Sequence, residues 1–598
     1  MELQTAELIL QNFLDRIETD VHSGQKKLPG IVTELEISSL ELALAQIKSE
    51  NTEFQDGRPD DTEDASIDSA FATEVVFDET FELPELDITL PSVHVETDLG
   101  EKRHESNITL NLKSLEYESP RNPETFLCID FGTAMSKACM VTYDDGYEEL
   151  LPLPLGAEAG ESGYSFPITS SVYISLDGRL YFGQKAIEKS LEESEKTEHS
   201  RFDSLKTYIM KHPEGESLTD IAATPFEPSP TGLNVGALIA FYLAYVTDLI
   251  DQTIDSEHGM EPYTLRRFAI PCFEPERSQW VQREFSKLLS CAQVLADTFS
   301  EAWEDGITIT DALAAWQQIS KQPVLPEYLI DRSVTEPLAS ISSRLSPDKA
   351  NQSSGLMMVV DIGAGTTDFS LYQMNVNSSD NRYLAIEVED SNWGVNLAGD
   401  HIDLVLISHI LEQADINSSS QDYKAIVHDL KLKARAYKEE LFKENEVTAY
   451  LFNFDLGINV TLDEFLAHPE IQRFENELEK NFKIVLENVH SSWLIDCPQR
   501  NIGVAITGGG ASMPMVKKLT QGQVEAHGVS VTRTSPKAIP AWLEEEYDDD
   551  IIGEYHQLAV SIGGSRRNVI EQMSSRQEYA GSMSKHSAVG LGIESGWT

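Results

Sequence analysis

From Pro59 to Glu101 the chain carries no lysine or arginine. Over all 598 residues the shortage of basic side chains leaves a formal net charge of −55. Nucleic-acid phosphates and an anionic membrane surface would both be repelled, so neither is an expected partner. Cysteine is scarce too: Cys128, Cys139, Cys272, Cys291 and Cys497 show no Cys-x-x-Cys spacing. They imply neither a zinc site nor a disulfide framework, and they suit a reducing, cytoplasmic setting. The opening residues, Met1-Glu2-Leu3-Gln4, lack a basic region before an apolar core, so no signal peptide is expected. No apolar run reaches the ~20 residues of a spanning helix. The longest, Gly232 to Thr247, is interrupted by Asn234 and reads as a buried helix, so no membrane insertion is expected. A Gly-x-x-x-x-Gly-Lys-Ser/Thr phosphate loop is missing, and no internal repeat is visible.

What is present centres on Met357 to Tyr372. Met357 to Val360 read as a buried strand, and Phe369, Leu371 and Tyr372 open another. Between them lie Asp361, Gly363-Ala364-Gly365, Thr366, Thr367 and Asp368. Glycines let a turn bring its N–H groups close to a ligand, and a row of such groups binds phosphate. Asp361 at the strand end suits a hydrated Mg²⁺, which takes few protein ligands and keeps its waters. Phe126 to Thr142 has the same form, with Asp130, Gly132 and Thr133 between apolar runs. Asn501 to Pro514 is an apolar strand ending in Gly508-Gly509-Gly510 before a helix near Met515.

In order, these three stretches resemble the phosphate-1, phosphate-2 and adenosine motifs of the actin-like ATPase superfamily. Further segments resemble its heat-shock protein 70 branch: Ser204 to Ile209, Phe268 to Pro271 with Arg277 to Gln279, Thr335 to Ser340, and Ala398 to Asp403. The resemblance covers about Phe126 to Gln572. It implies an α/β fold of two lobes, each a ribonuclease-H-like mixed sheet flanked by helices, with ATP or ADP and Mg²⁺ in the cleft between them. It also implies Lys206 at the terminal phosphate and attacking water, with Glu336 helping to place that water. By the same resemblance, Asp130 and Asp361 hold Mg²⁺ through its waters. Gly132, Thr133, Gly363, Gly365, Thr366 and Thr367 hold phosphates, with Asp361 and Thr366 counted in the catalytic set. Lys438 and Gly508 to Gly510 face the adenosine.

The chain departs from the family at several positions. Ala134 and Met135 stand for a threonine and a tyrosine, and Ala364 for a glycine. Ser512 replaces an arginine, and Arg435-Ala436-Tyr437-Lys438-Glu439 keeps only the lysine of the base clamp. No room is left after the closing helix near Leu558 to Gly564 for the family's C-terminal substrate-binding domain.

The organisation expected is a helical hairpin over 1–48, an acidic linker or docking arm over 49–120, lobe I over 121–350, lobe II over 351–572, and a Ser/Gly-rich tail over 573–598. The arm interleaves Phe77, Phe81, Leu86, Ile88 and Leu90 with acids, and reads either as a solvated linker or as a segment that orders on a partner. An insertion at 304–330 holds a helix near 308–320, and 423–445 and 462–489 each read as one helix. The functional expectation is a slow Mg-dependent ATP hydrolase that couples nucleotide state to an unidentified protein partner or client through residues 1–120. The alternatives are a non-catalytic nucleotide-switched scaffold and an actin-like filament former.

Overall fold

Apolar runs of four to seven residues bounded by turns become the central strands of two mixed sheets. The computed structural model describes residues 18–19, 26–27 and 106–573, apart from breaks at 145–146, 157–164, 195, 197–200, 223–232, 272, 274, 348–350, 396, 418–419, 421, 452–456 and 538. The chain divides into two units, Met1–Glu85 and Leu86–Thr598. In the first, the described residues are an antiparallel pair, Glu18–Thr19 with Lys26–Lys27. The rest of the hairpin expected over 1–48, the acidic run 59–101 and the tail beyond Met573 lie outside the described residues.

In the second unit, β1 (Thr125–Phe131), β2 (Met135–Asp144) and β3 (Tyr147–Leu153) form an antiparallel meander. β4 (Leu265–Ile270) lies parallel to β1, and β5 (Ile330–Thr335) parallel to β4. The strand order is β5-β4-β1-β2-β3. The other sheet repeats this plan. β6 (Gln352–Ile362), β7 (Thr367–Asn377) and β8 (Arg382–Glu387) make the meander. β9 (Asn501–Thr507) runs parallel to β6, and β10 (Val529–Thr534) parallel to β9. These five strands thus run fifth, fourth, first, second, third in both sheets, a likeness that the sequence hides, and the second sheet adds Gln523–Ala526 beside β10 and Glu571–Met573 beside β8. This mixed α/β architecture is consistent with an actin-like ATPase fold.

The helices connect and cover the sheets. α1 (Leu205–Lys211) is short, and α2 (Val235–His258) is buried on every side from Val235 to Ala244. An all-round apolar helix needs such a core around it. It is long and apolar enough to cross a membrane by length and composition, but lies within the core of the first sheet. Asn234, which looked like an interruption of the apolar run, is its N-cap: its side chain accepts the Ala237 N–H at 2.7 Å. α3 (Pro275–Phe299) packs beside it, and α4 (Glu336–Ser342) follows β5 directly. α5 (Gly399–Gln413) and α6 (Tyr423–Glu444) pack together near the second sheet.

Three expectations need correction. The helix read over 462–489 is two, Leu462–Leu466 and α7 (Pro469–Asn488). Pro469 forces the residue before it out of the helical region, and His468 is extended at φ −61°, ψ 134°. Second, α8 (Asp549–Ser565), assigned to lobe II, packs on the first sheet, where Leu558 and Ile562 share a core with Cys139, Val141 and Leu150. Gly563 permits the crossing: a Cβ there would lie 1.7 Å from the Ala339 carbonyl oxygen on α4. Third, the end of the stretch read as an acidic arm is ordered on the insertion. Ser106 Oγ donates to Asp311 at 2.6 Å, Gln318 donates to the Ile108 carbonyl at 2.9 Å, and Tyr328 donates to the Ser114 carbonyl at 2.7 Å. The insertion helix itself, Ile309–Ile319 capped by Thr308, falls where the sequence put it.

Candidate active site

The β1–β2 and β6–β7 turns occupy equivalent places in the two sheets. At the first, Asp130 sits directly across the ladder from Lys137. Both are buried, and Lys137 Nζ lies 3.4 Å from Asp130 Oδ2. Gly132 closes against the chain: a Cβ there would fall 2.1 Å from the Met135 carbonyl oxygen. Thr133 is half-buried at the turn.

At the second turn, Asp361 sits across from Asp368. Like charges facing across a ladder repel. Gly363 N–H donates to the Thr366 carbonyl at 3.0 Å, which closes the turn. Thr366 is exposed, and its hydroxyl donates to Asp368 Oδ2 at 3.0 Å. Thr367 is fully buried with its hydroxyl given to the Leu397 carbonyl, so its side chain does not join the site.

Lys206 on α1, half-buried, forms an ion pair with the buried Glu336, the first residue of α4. Burial works to lower the Lys206 pKa, but Glu336, Asp130 and Asp361 outweigh it and hold the ammonium above its usual value. Those three influences come from both sheets, so Lys206 marks where the turns converge. The neighbouring Thr207 faces Gly365, whose Cβ position would be 3.8 Å from Thr207 Oγ1. Burial pushes Asp361 well above the usual carboxylate range, with Glu336 and Asp368 adding to the push. Asp368 is raised as well, again chiefly by burial.

The three glycines divide by role. Gly508, at φ +86°, has no room for a side chain: a Cβ would meet the Ile362 carbonyl at 2.4 Å and Asp361 Oδ1 at 2.5 Å. Gly510 donates its N–H to the Ile362 carbonyl at 3.0 Å and is buried. Gly509 is exposed with open space around it, so it is the one free to face a ligand. Lys438 stands behind the β6–β7 turn. Its ammonium holds the Gly399 carbonyl at 3.0 Å and Asp403 at 2.9 Å. Gly399 and Asp400 in turn donate their N–H groups to the Gly363 and Ala364 carbonyls at 3.1 and 2.7 Å. Lys438 thus props the turn through α5.

Two residues escaped the sequence reading, Lys137 and Asp368. A register signal existed: each lies seven positions after its aspartate, as the partner across a tight hairpin does. With Asp368 included, four carboxylates (Asp130, Glu336, Asp361 and Asp368) act electrostatically on the Lys206 ammonium, and Glu336 pairs with it directly. A hard divalent cation with oxygen ligands fits that surplus of negative charge. The glycine turns beside it fit phosphate oxygens.

No curated protein matches the chain. The Hsp70 protein family model matches residues 335–528, which hold Glu336, Asp361, Asp368, Lys438 and Gly508 to Gly510, and this match supports an Hsp70 relationship for that region.

Proposed function

We propose that the chain binds ATP with Mg²⁺ between its two sheets, in the cleft of a two-lobed actin-like ATPase, and hydrolyses it slowly. The observation that carries this reading is the convergence of Lys206, Glu336, Asp361 and Asp368 beside two glycine turns of one duplicated topology. The Hsp70 match over residues 335–528 supports nucleotide binding of a chaperone-like kind.

Phosphoryl transfer to water requires positioning and charge neutralisation more than covalent help. The N–H groups around Gly132–Thr133 and Gly363–Thr366 cradle the phosphates. Asp361, Asp368 and Asp130 would hold Mg²⁺ through its waters. When bound, the metal neutralises charge on the terminal phosphates. Lys206 presents its ammonium to the oxygen charge that builds at the transferring phosphoryl group. Glu336, which anchors Lys206, orients the attacking water. Lys137 adds a buried cation under the first turn, and Gly509 gives the adenosine a bare backbone to lie on. Calorimetric titration with Mg·ATP tests the binding: Asp361→Asn weakens metal-dependent affinity at least about tenfold, since a charge-assisted contact is lost in a desolvated site. Equal affinity in both proteins contradicts the proposal.

A second reading, a nucleotide-switched scaffold without turnover, draws on the rewritten base clamp and on Glu336 already holding Lys206. Single-turnover hydrolysis separates the two, because the scaffold retains bound ATP. In both readings residues 1–105 are the proposed contact for a protein partner or client. Capture by the full chain but not by a chain lacking residues 1–105 is the expected result.

A further inference from the structure

Away from the carboxylate cluster, His409 and Glu412 on α5 meet His468, the cap of α7. Their ligand atoms all lie within 4.8 Å of one another. Each arrives for a local reason. His409 and Glu412 are three apart on a helix and share a face. His468 is placed by the break that Pro469 enforces, with its Nδ1 accepting the Glu470 N–H at 3.3 Å and its Nε2 4.0 Å from Glu412 Oε2. The His409 ring stands edge-on to His468 at 5.4 Å between centroids and leans on Phe465. Its Nε2 is 2.9 Å from the Gln413 carboxamide.

We propose that His409, Glu412 and His468 form a three-ligand site for a divalent transition metal of the Zn²⁺ class, with the fourth position open to water. Two imidazoles and one carboxylate are the borderline donor set that such ions prefer over Mg²⁺, which favours oxygen alone. Metal–nitrogen bonds near ~2.0–2.1 Å place tetrahedral ligand atoms about 3.4 Å apart. Glu412, whose side chain is 65% exposed, exchanges a 3.4 Å hydrogen bond from Ser408 Oγ for the metal as the gap closes. His468 moves its proton to Nδ1 and gives up the Glu470 contact, and His409 gives up Gln413. Both are single hydrogen bonds to neutral groups, the weak kind. The metal then ties the far end of α5 to the start of α7. From Gly399, docked on the phosphate turn, to His409 is ten residues, about 15 Å of helix. The site is therefore distinct from the nucleotide site.

The test uses the full chain without nucleotide, in excess Mg²⁺ to fill the carboxylate cluster. Zn²⁺ is titrated against a chromophoric chelator, and Co²⁺ is followed by visible absorption. One metal per chain, a tetrahedral Co²⁺ spectrum and a Zn²⁺-raised thermal midpoint are expected. His468→Asn keeps a good helix cap, and Glu412→Gln changes an exposed side chain, so both should fold. Each should weaken binding at least about tenfold, the loss that even supporting residues of metal sites cause. Equal Zn²⁺ affinity in wild type and both variants, or a Co²⁺ spectrum without tetrahedral bands, overturns the proposal. Neither result depends on whether ATP binds.

Discussion

The two turns at the heart of this protein share a topology and differ in one cross-strand partner. Asp130 faces Lys137, and Asp361 faces Asp368. The first turn neutralises itself within its own hairpin. The second is left with an excess of buried negative charge, which Lys206 offsets only in part because Glu336 already occupies it. The charge difference between the two turns lies at the position seven residues after each aspartate. The first turn pairs its aspartate with a cation of its own hairpin, whereas the second sets two carboxylates face to face.

That asymmetry can be broken in several ways. The largest effect is expected from Lys206→Ala. It should lower kcat by about 10²-fold or more with ground-state ATP affinity little changed, as for a preorganised charge aimed at the transition state. Single-turnover rates check it, and an unchanged rate removes Lys206 from the chemistry.

Lys137→Met should cost about 3 kcal/mol of stability, because it leaves the Asp130 carboxylate buried without its partner. Lys137→Met/Asp130→Asn should recover most of that loss in denaturant unfolding. Failure to recover would mean that Lys137 acts through something other than the pair.

Asp368→Asn should behave in the opposite sense to Lys137→Met. Relieving the facing carboxylates should raise metal-free stability by about 1 kcal/mol or less, while the gain in thermal midpoint on adding Mg²⁺ shrinks. A variant less stable than wild type without metal contradicts the repulsion argument. The pH dependence follows from the same charges. Asp361 and Asp368 have folded-state pKa values above their unfolded ones. Their contribution to stability is therefore fully present below the unfolded carboxylate pKa and is lost as pH rises through the raised values. Mg²⁺ binds the ionised forms, so the Mg²⁺-induced rise in thermal midpoint should grow as pH rises through the raised values. A shift independent of pH counts against metal binding at these carboxylates.

The smallest effect concerns the N-terminal region. Removing residues 1–105 should leave the thermal midpoint nearly unchanged. Removing 1–120 should lower it measurably, because Asn111 and Ser114 are hydrogen-bonded to α3 and Tyr328 to Ser114. Equal midpoints for the two truncations would make that packing energetically idle.

Much of the site was legible because its chemistry is local. Asp130 and Gly132, and Asp361, Gly363 and Gly365, lie within a few residues of each other, where one turn fixes both the acid and the bare backbone. Thr367 was misread because outward and inward positions alternate along a strand, and only the register shows that it points to Leu397. The partners of Lys438, the Gly399 carbonyl and Asp403, were not legible, because a helical lysine reveals its face only when the neighbouring helix is in place.

The sequence by itself determined the central strands, the two acid–glycine turns and the buried α2, since each follows from neighbours in the chain. Tertiary structure decided which charges meet. The pairing of Lys206 with Glu336 spans 130 positions, and the meeting of His409, Glu412 and His468 depends on how α5 lies beside the start of α7. Electrostatic interaction falls with distance in space, and separation along the chain does not fix that distance. Which carboxylate faces a cation and which faces another carboxylate was therefore settled only once the strands had paired.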